Sequence, residues 1–113
     1  MAKKCAFSFE DMKNLFNSNK QVRKSGRNDR IEKNRGGVTY YLFDNEIAHY
    51  DPENKTLTVT NAGWFSVTTK DRLNGLLCKF GCYIQQKDGE WFWVSQSGSD
   101  LWRGGEKILE EVK

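Results

Sequence analysis

The residues able to do chemistry in this chain are few and scattered. His49 is the only histidine, and the three cysteines are Cys5, Cys78 and Cys82. Cys78 and Cys82 stand four apart with Gly81 between them, two soft ligands short of a closed zinc site, so neither metal nor cofactor is called for. Pairing Cys78 with His49 for nucleophilic catalysis finds no nucleophile motif and no orienting acid. The carboxylate pairs, Asp51 with Glu53 and Glu110 with Glu111, fall at turn-like or terminal positions, which does not mark an acid/base couple. Gly36-Gly37 and Gly104-Gly105 match neither the phosphate loop nor the dinucleotide fingerprint and read as turns. With no set of catalytic residues, the chain is expected to bind rather than catalyse.

Charge and aromatic surface offer the means to bind. Residues 1–35 hold ten Lys/Arg against four Asp/Glu, a net of +6, and the remainder holds eight against eleven, a net of −3. The basic end is expected to attract phosphate backbones or acidic protein faces with a strength that falls with salt, or else to be a solvated loop. Its candidate contacts are Lys20, Arg23, Lys24, Arg27, Arg30 and Arg35. A DNA-mimic role, which needs a strongly acidic chain, is disfavoured by this balance. In Glu90-Trp91-Phe92-Trp93-Val94, alternation puts Trp91 and Trp93 on one strand face, which is either open for stacking and docking or covered by a helix or the tail around Trp102.

The elements that must position these groups follow from periodicity and turn chemistry. Ser8-Phe9-Glu10-Asp11 has capping-box spacing, and Phe9, Met12 and Phe16 with Leu15 beside them predict a short amphipathic helix to about residue 17. Residues 20–35 predict two weak edge strands, built on Val22 and Ile31 and joined by a mobile turn at Ser25-Gly26. Four runs follow, 38–43, 46–50, 56–60 and 64–67, separated by Asp44-Asn45, Asp51-Pro52-Glu53-Asn54 and Asn61-Ala62-Gly63, and predict an antiparallel meander. Thr68-Thr69-Lys70-Asp71 repeats the capping-box spacing before Leu73, Leu76, Leu77 and Phe80, predicting a helix over about 69–80 that stops at Gly81. A hairpin over 82–86 and 90–95 turns at Lys87-Asp88-Gly89, and residues 108–112 make a last strand or a short helix.

A chain of 113 residues with 37% apolar and 13% aromatic content, without repeats or linkers, predicts one α+β domain over 1–113. No apolar run reaches membrane-spanning length, and Met1-Ala2-Lys3-Lys4-Cys5 lacks a signal-peptide core. Together with the odd cysteine count, this makes the cytoplasm the expected compartment.

Gly63-Trp64-Phe65-Ser66-Val67-Thr68-Thr69-Lys70-Asp71-Arg72-Leu73-Asn74, with Tyr40-Tyr41-Leu42-Phe43, Ile47-Ala48 and Trp91-Phe92-Trp93 around it, resembles a family of short phage and prophage proteins. Thr-Thr-Lys-x-Arg-Leu-Asn is its specific core, and the likeness runs loosely over residues 7–112. The resemblance brings no catalytic residues. It implies a small non-enzymatic protein in a bacterial host cell that binds a host protein or protein–nucleic acid complex, inhibition of a defence nuclease in the manner of anti-CRISPR proteins being one such role. Lys70 and Arg72 join the candidate contacts, on a face expected to be open. The alternative is a nucleic-acid-binding module in which Lys20 to Arg35 hold DNA or RNA phosphates and Trp91 or Trp93 stacks on bases.

Overall fold

The computed structural model describes residues 7–111, so Cys5, Lys3, Lys4 and Val112 lie outside the described residues. Helix α1 (Phe9–Phe16) starts as its capping box requires: Ser8 Oγ accepts from Asp11 N at 3.1 Å, and Ser8 N donates to Asp11 Oδ2 at 2.9 Å. Phe9, Met12 and Leu15 are buried, while Phe16, at the end of the helix, overhangs into solvent.

Strands β1 (Val22–Ser25), β2 (Asp29–Asn34), β3 (Gly37–Leu42), β4 (Asn45–Asp51) and β5 (Thr56–Val59) pair antiparallel in chain order, and β9 (Lys107–Glu110) adds to β5 to complete six strands. The expected meander and hairpin are present. The tail resolves as a strand, because Leu109 opposite Leu57 extends the apolar face of β5. That face is legible in Thr56-Leu57-Thr58-Val59, where both apolar residues are buried and the threonines are not. Gly37 lies so close to β4 that an added Cβ would sit 1.9 Å from the Tyr50 carbonyl oxygen, which only glycine avoids.

β2 corrects the expectation of two edge strands. Of the two, β1 alone is an edge; β2 runs between β1 and β3 with Ile31 fully buried. Its charged sequence is tolerated because each charge meets a partner: Asp29 binds Arg72, and Arg30 binds Glu32 and Asp44.

The run 64–67 is not a strand. Trp64 and Phe65 cross a turn into helix α2 (Val67–Leu77), whose cap is Ser66 accepting from Thr69 N at 3.1 Å rather than Thr68. A 3-10 turn over Cys78–Phe80 prolongs the helix to Gly81, which ends it in the left-handed region at φ 74°. The second sheet orders β6 (Tyr83–Lys87), β7 (Glu90–Ser95) and β8 (Gly98–Leu101), the third strand being one the hairpin expectation lacked. Both helices and both sheets contribute to one buried cluster, giving a single α+β domain. No described helix is long and apolar enough to cross a membrane.

Candidate binding surface

The residues first considered for chemistry do not meet. Cys78 is exposed and Cys82 buried, and burial pushes the Cys82 thiol up, away from the reactive thiolate. His49 stands on β4, with Nδ1 2.8 Å from Thr39 Oγ1 on β3. The Thr39 hydroxyl donates to Asn34 Oδ1 at 2.5 Å, so Nδ1 carries the imidazole proton and Thr39 accepts it. Burial, then the nearby Arg35, holds the His49 pKa below its ordinary value and keeps the ring neutral. This is a satisfied structural histidine. Among the described residues, no group of three His, Cys, Asp or Glu side chains is placed to hold a metal ion.

Of the two readings of the Trp91/Trp93 strand face, the structure shows the covered one: they are 1% and 7% exposed, which removes them as open contact residues. The covering is what the alternative anticipated, the tail around Trp102. The Trp102 ring lies 6.2 Å from Trp91 and 5.2 Å from Trp93, centroid to centroid, while Lys107 of β9 sits 4.9 Å over Trp93. The two tryptophans therefore join the second sheet to the rest of the core.

Arg72 is the second correction. Instead of facing solvent it reaches across to β2, with Nε 2.7 Å from Asp29 Oδ2, and Tyr40 Oη donates to the same oxygen at 2.6 Å. Asp29 is buried, so this cluster pins α2 to the sheet. Asn74 is structural in the same sense, since its side-chain amide both accepts from Ile84 N and donates to Ile84 O, closing the outer side of β6. Lys70 remains at the surface, where it donates to Gln86 at 3.0 Å.

The six basic candidates divide. Arg23 pairs with Asp11 at 3.7 Å and lies over Phe7. Arg30 binds Glu32 and Asp44 at 3.1 and 2.7 Å and stacks on Tyr41 at 4.1 Å. Arg35 grips both Glu46 oxygens, at 3.2 and 2.6 Å. Lys20, Lys24 and Arg27 are exposed and form no ion pair among the described residues. Lys24 and Arg27 line an open hollow of about 390 Å³ beside the β1–β2 turn, and Asp44 lines it too.

The exposed aromatics are elsewhere, on residues not singled out as contacts. Phe43, Trp64, Phe65 and Val67 are 51%, 57%, 53% and 65% exposed. Phe43 and Trp64 face a hollow of about 440 Å³ whose other walls are Ser66, Thr68 and Thr69. Phe43 and Asp44 form the tight β3–β4 turn with φ of 52° and 64°, a conformation suited to Asn-Gly and costly for a bulky ring. Phe43 is held there with its ring half exposed, a departure from the local rule of the kind found at contact sites. Phe43 lines the aromatic hollow, and its chain neighbour Asp44 lines the one that holds Lys24 and Arg27. The signal available in the sequence was Trp64-Phe65 between the turn residues Asn61-Ala62-Gly63 and the cap Ser66, where neither strand nor helix periodicity buries a ring.

No curated protein and no solved structure matches the chain. A family model, the Kyanoviridae Gp96 protein, matches residues 7–108. That span takes in α1, both sheets apart from the end of β9, and the whole aromatic and basic surface, so the chain belongs to the Kyanoviridae Gp96 protein family, a phage protein family.

Proposed function

We propose that this phage-family protein works without catalysis, in the cytoplasm of the infected bacterium, by docking on a host protein through Phe43, Trp64, Phe65 and Val67 with Lys24 and Arg27 at the rim. The observation that carries the reading is the cluster of four half-exposed large apolar residues, one of them held in a left-handed turn at a cost in stability. Aromatic anchors with a cationic rim are the composition that protein interfaces favour. The consequence we assign to this docking is inhibition of a host defence nuclease, a role that suits a small phage protein without catalytic machinery. A protein partner is favoured over nucleic acid because Arg23, Arg30 and Arg35 are neutralised by acids of the same chain, leaving little of the charge that phosphate binding needs.

Affinity capture from host lysate, with and without nuclease treatment, tests the reading. A specific host protein recovered equally well in both supports it; recovery that vanishes with nuclease, or no specific protein, overturns it. The nucleic-acid reading keeps one supporting observation, the hollow lined by Lys24 and Arg27, and requires labelled DNA or RNA to bind in anisotropy with a steep salt dependence.

A further inference from the structure

Besides the hollow lined by Phe43 and Trp64, a second hollow stands beside Phe65. This one measures about 180 Å³ and is lined by Phe65, Trp91, Leu101 and Trp102, with Glu90 and Arg103 also on its wall. Trp102 Nε1 donates to the Gly105 carbonyl at 3.0 Å and is satisfied. Trp91 Nε1 is buried and has no acceptor, one of two buried side-chain polar atoms in that condition among the described residues. The neighbouring Phe65 ring meets Trp91 edge-on at 5.0 Å, yet is itself half exposed, so it forms the wall that can move.

The geometry points to a subsite for an aromatic-sized group bearing a neutral hydrogen-bond acceptor, which enters beside Phe65 and receives the Trp91 Nε1–H. It rests on the docking reading above and names the chemistry of one anchor of the partner, an amide or carbonyl on a flat apolar group. Three observations combine. The hollow exceeds the roughly 150 Å³ that holds a benzene ring. A buried donor left unpaired costs free energy that an incoming acceptor recovers, so the site discriminates against a ligand lacking one. One carboxylate and one guanidinium on the wall offset each other, so neither a cation nor an anion is selected.

The test uses the full chain labelled with 15N, whose four tryptophans give separate indole signals, assigned by Trp64→Phe, Trp93→Phe and Trp102→Phe. Benzamide is titrated beside ethylbenzene, of similar size without an acceptor, and benzoate. Benzamide is expected to move the Trp91 indole signal downfield and saturably, about tenfold more tightly than either, the worth of one hydrogen bond. Leu101→Trp, which fills the hollow, should abolish the shift in a chain whose remaining spectrum shows it folded. Equal affinity for benzamide and ethylbenzene, an unmoved Trp91 signal, or a shift surviving Leu101→Trp overturns the proposal. None of these outcomes depends on the host partner, so a failed capture and a failed subsite are separately visible.

Discussion

Two aromatic segments of this protein have opposite fates. Trp91-Phe92-Trp93 alternates along β7 and buries both indoles against Trp102, whereas Trp64-Phe65 crosses the turn before α2 and stays half exposed. Aromatic content alone does not distinguish a core from a contact surface; the element carrying the rings does. A strand whose face is covered encloses its side chains, whereas a short turn between a strand and a capped helix leaves its rings half exposed, even where Phe65 meets the core at Trp91.

The comparison breaks most sharply if the two segments respond alike to truncation. Trp91→Ala should cost about 3–5 kcal/mol in urea unfolding, the loss expected for a buried tryptophan, while Trp64→Ala stays within about 0.5 kcal/mol. The ion pairs divide in the same way. Asp29→Ala leaves Arg72 without its buried carboxylate and should cost about 3–5 kcal/mol, against at most about 1 kcal/mol for Glu46→Ala at the exposed Arg35 pair. Phe43→Asn reverses the sign: relief of the left-handed phenylalanine should raise stability by about 1 kcal/mol while weakening partner binding, the trade expected of a residue kept for contact.

The smallest effect is that of pH. His49 is held neutral when folded, its pKa lowered by burial and then by Arg35, whereas the unfolded chain takes up the proton at the ordinary value of 6.5. The unfolded state therefore binds more protons below that value, so stability should fall as pH drops through 6.5 and be unaffected by this group above it. His49→Gln should flatten that slope in urea midpoints taken at pH 7.5 and 5.5.

Much of the fold was legible because local chemistry and global packing agree there. Ser8 and Asp11, the alternation of Leu57 and Val59, and Gly81 after Phe80 each forecast their element. β2 and the start of α2 were harder to read. In β2, Asp29 and Arg30 look like solvent-facing residues until Arg72 and Asp44 are brought beside them by tertiary structure, and at α2 Ser66 caps the helix earlier than the Thr68–Asp71 spacing suggests. Of the proposed surface, the sequence had offered Lys24 and Arg27 as candidates, but the exposed rings were sought on β7, because alternation identifies a second face without saying what covers it.

The most direct test takes the host protein recovered by capture and measures its affinity for the Trp64→Ala/Phe65→Ala double variant, with unfolding of the variant followed in parallel. At least a hundredfold loss of affinity is expected, about 2.7 kcal/mol for two anchor rings, in a chain that stays folded and loses about 1 kcal/mol or less in stability where Phe65 no longer meets Trp91. Undiminished affinity in a folded double variant would contradict the claim that the protein works through this loop-borne aromatic surface.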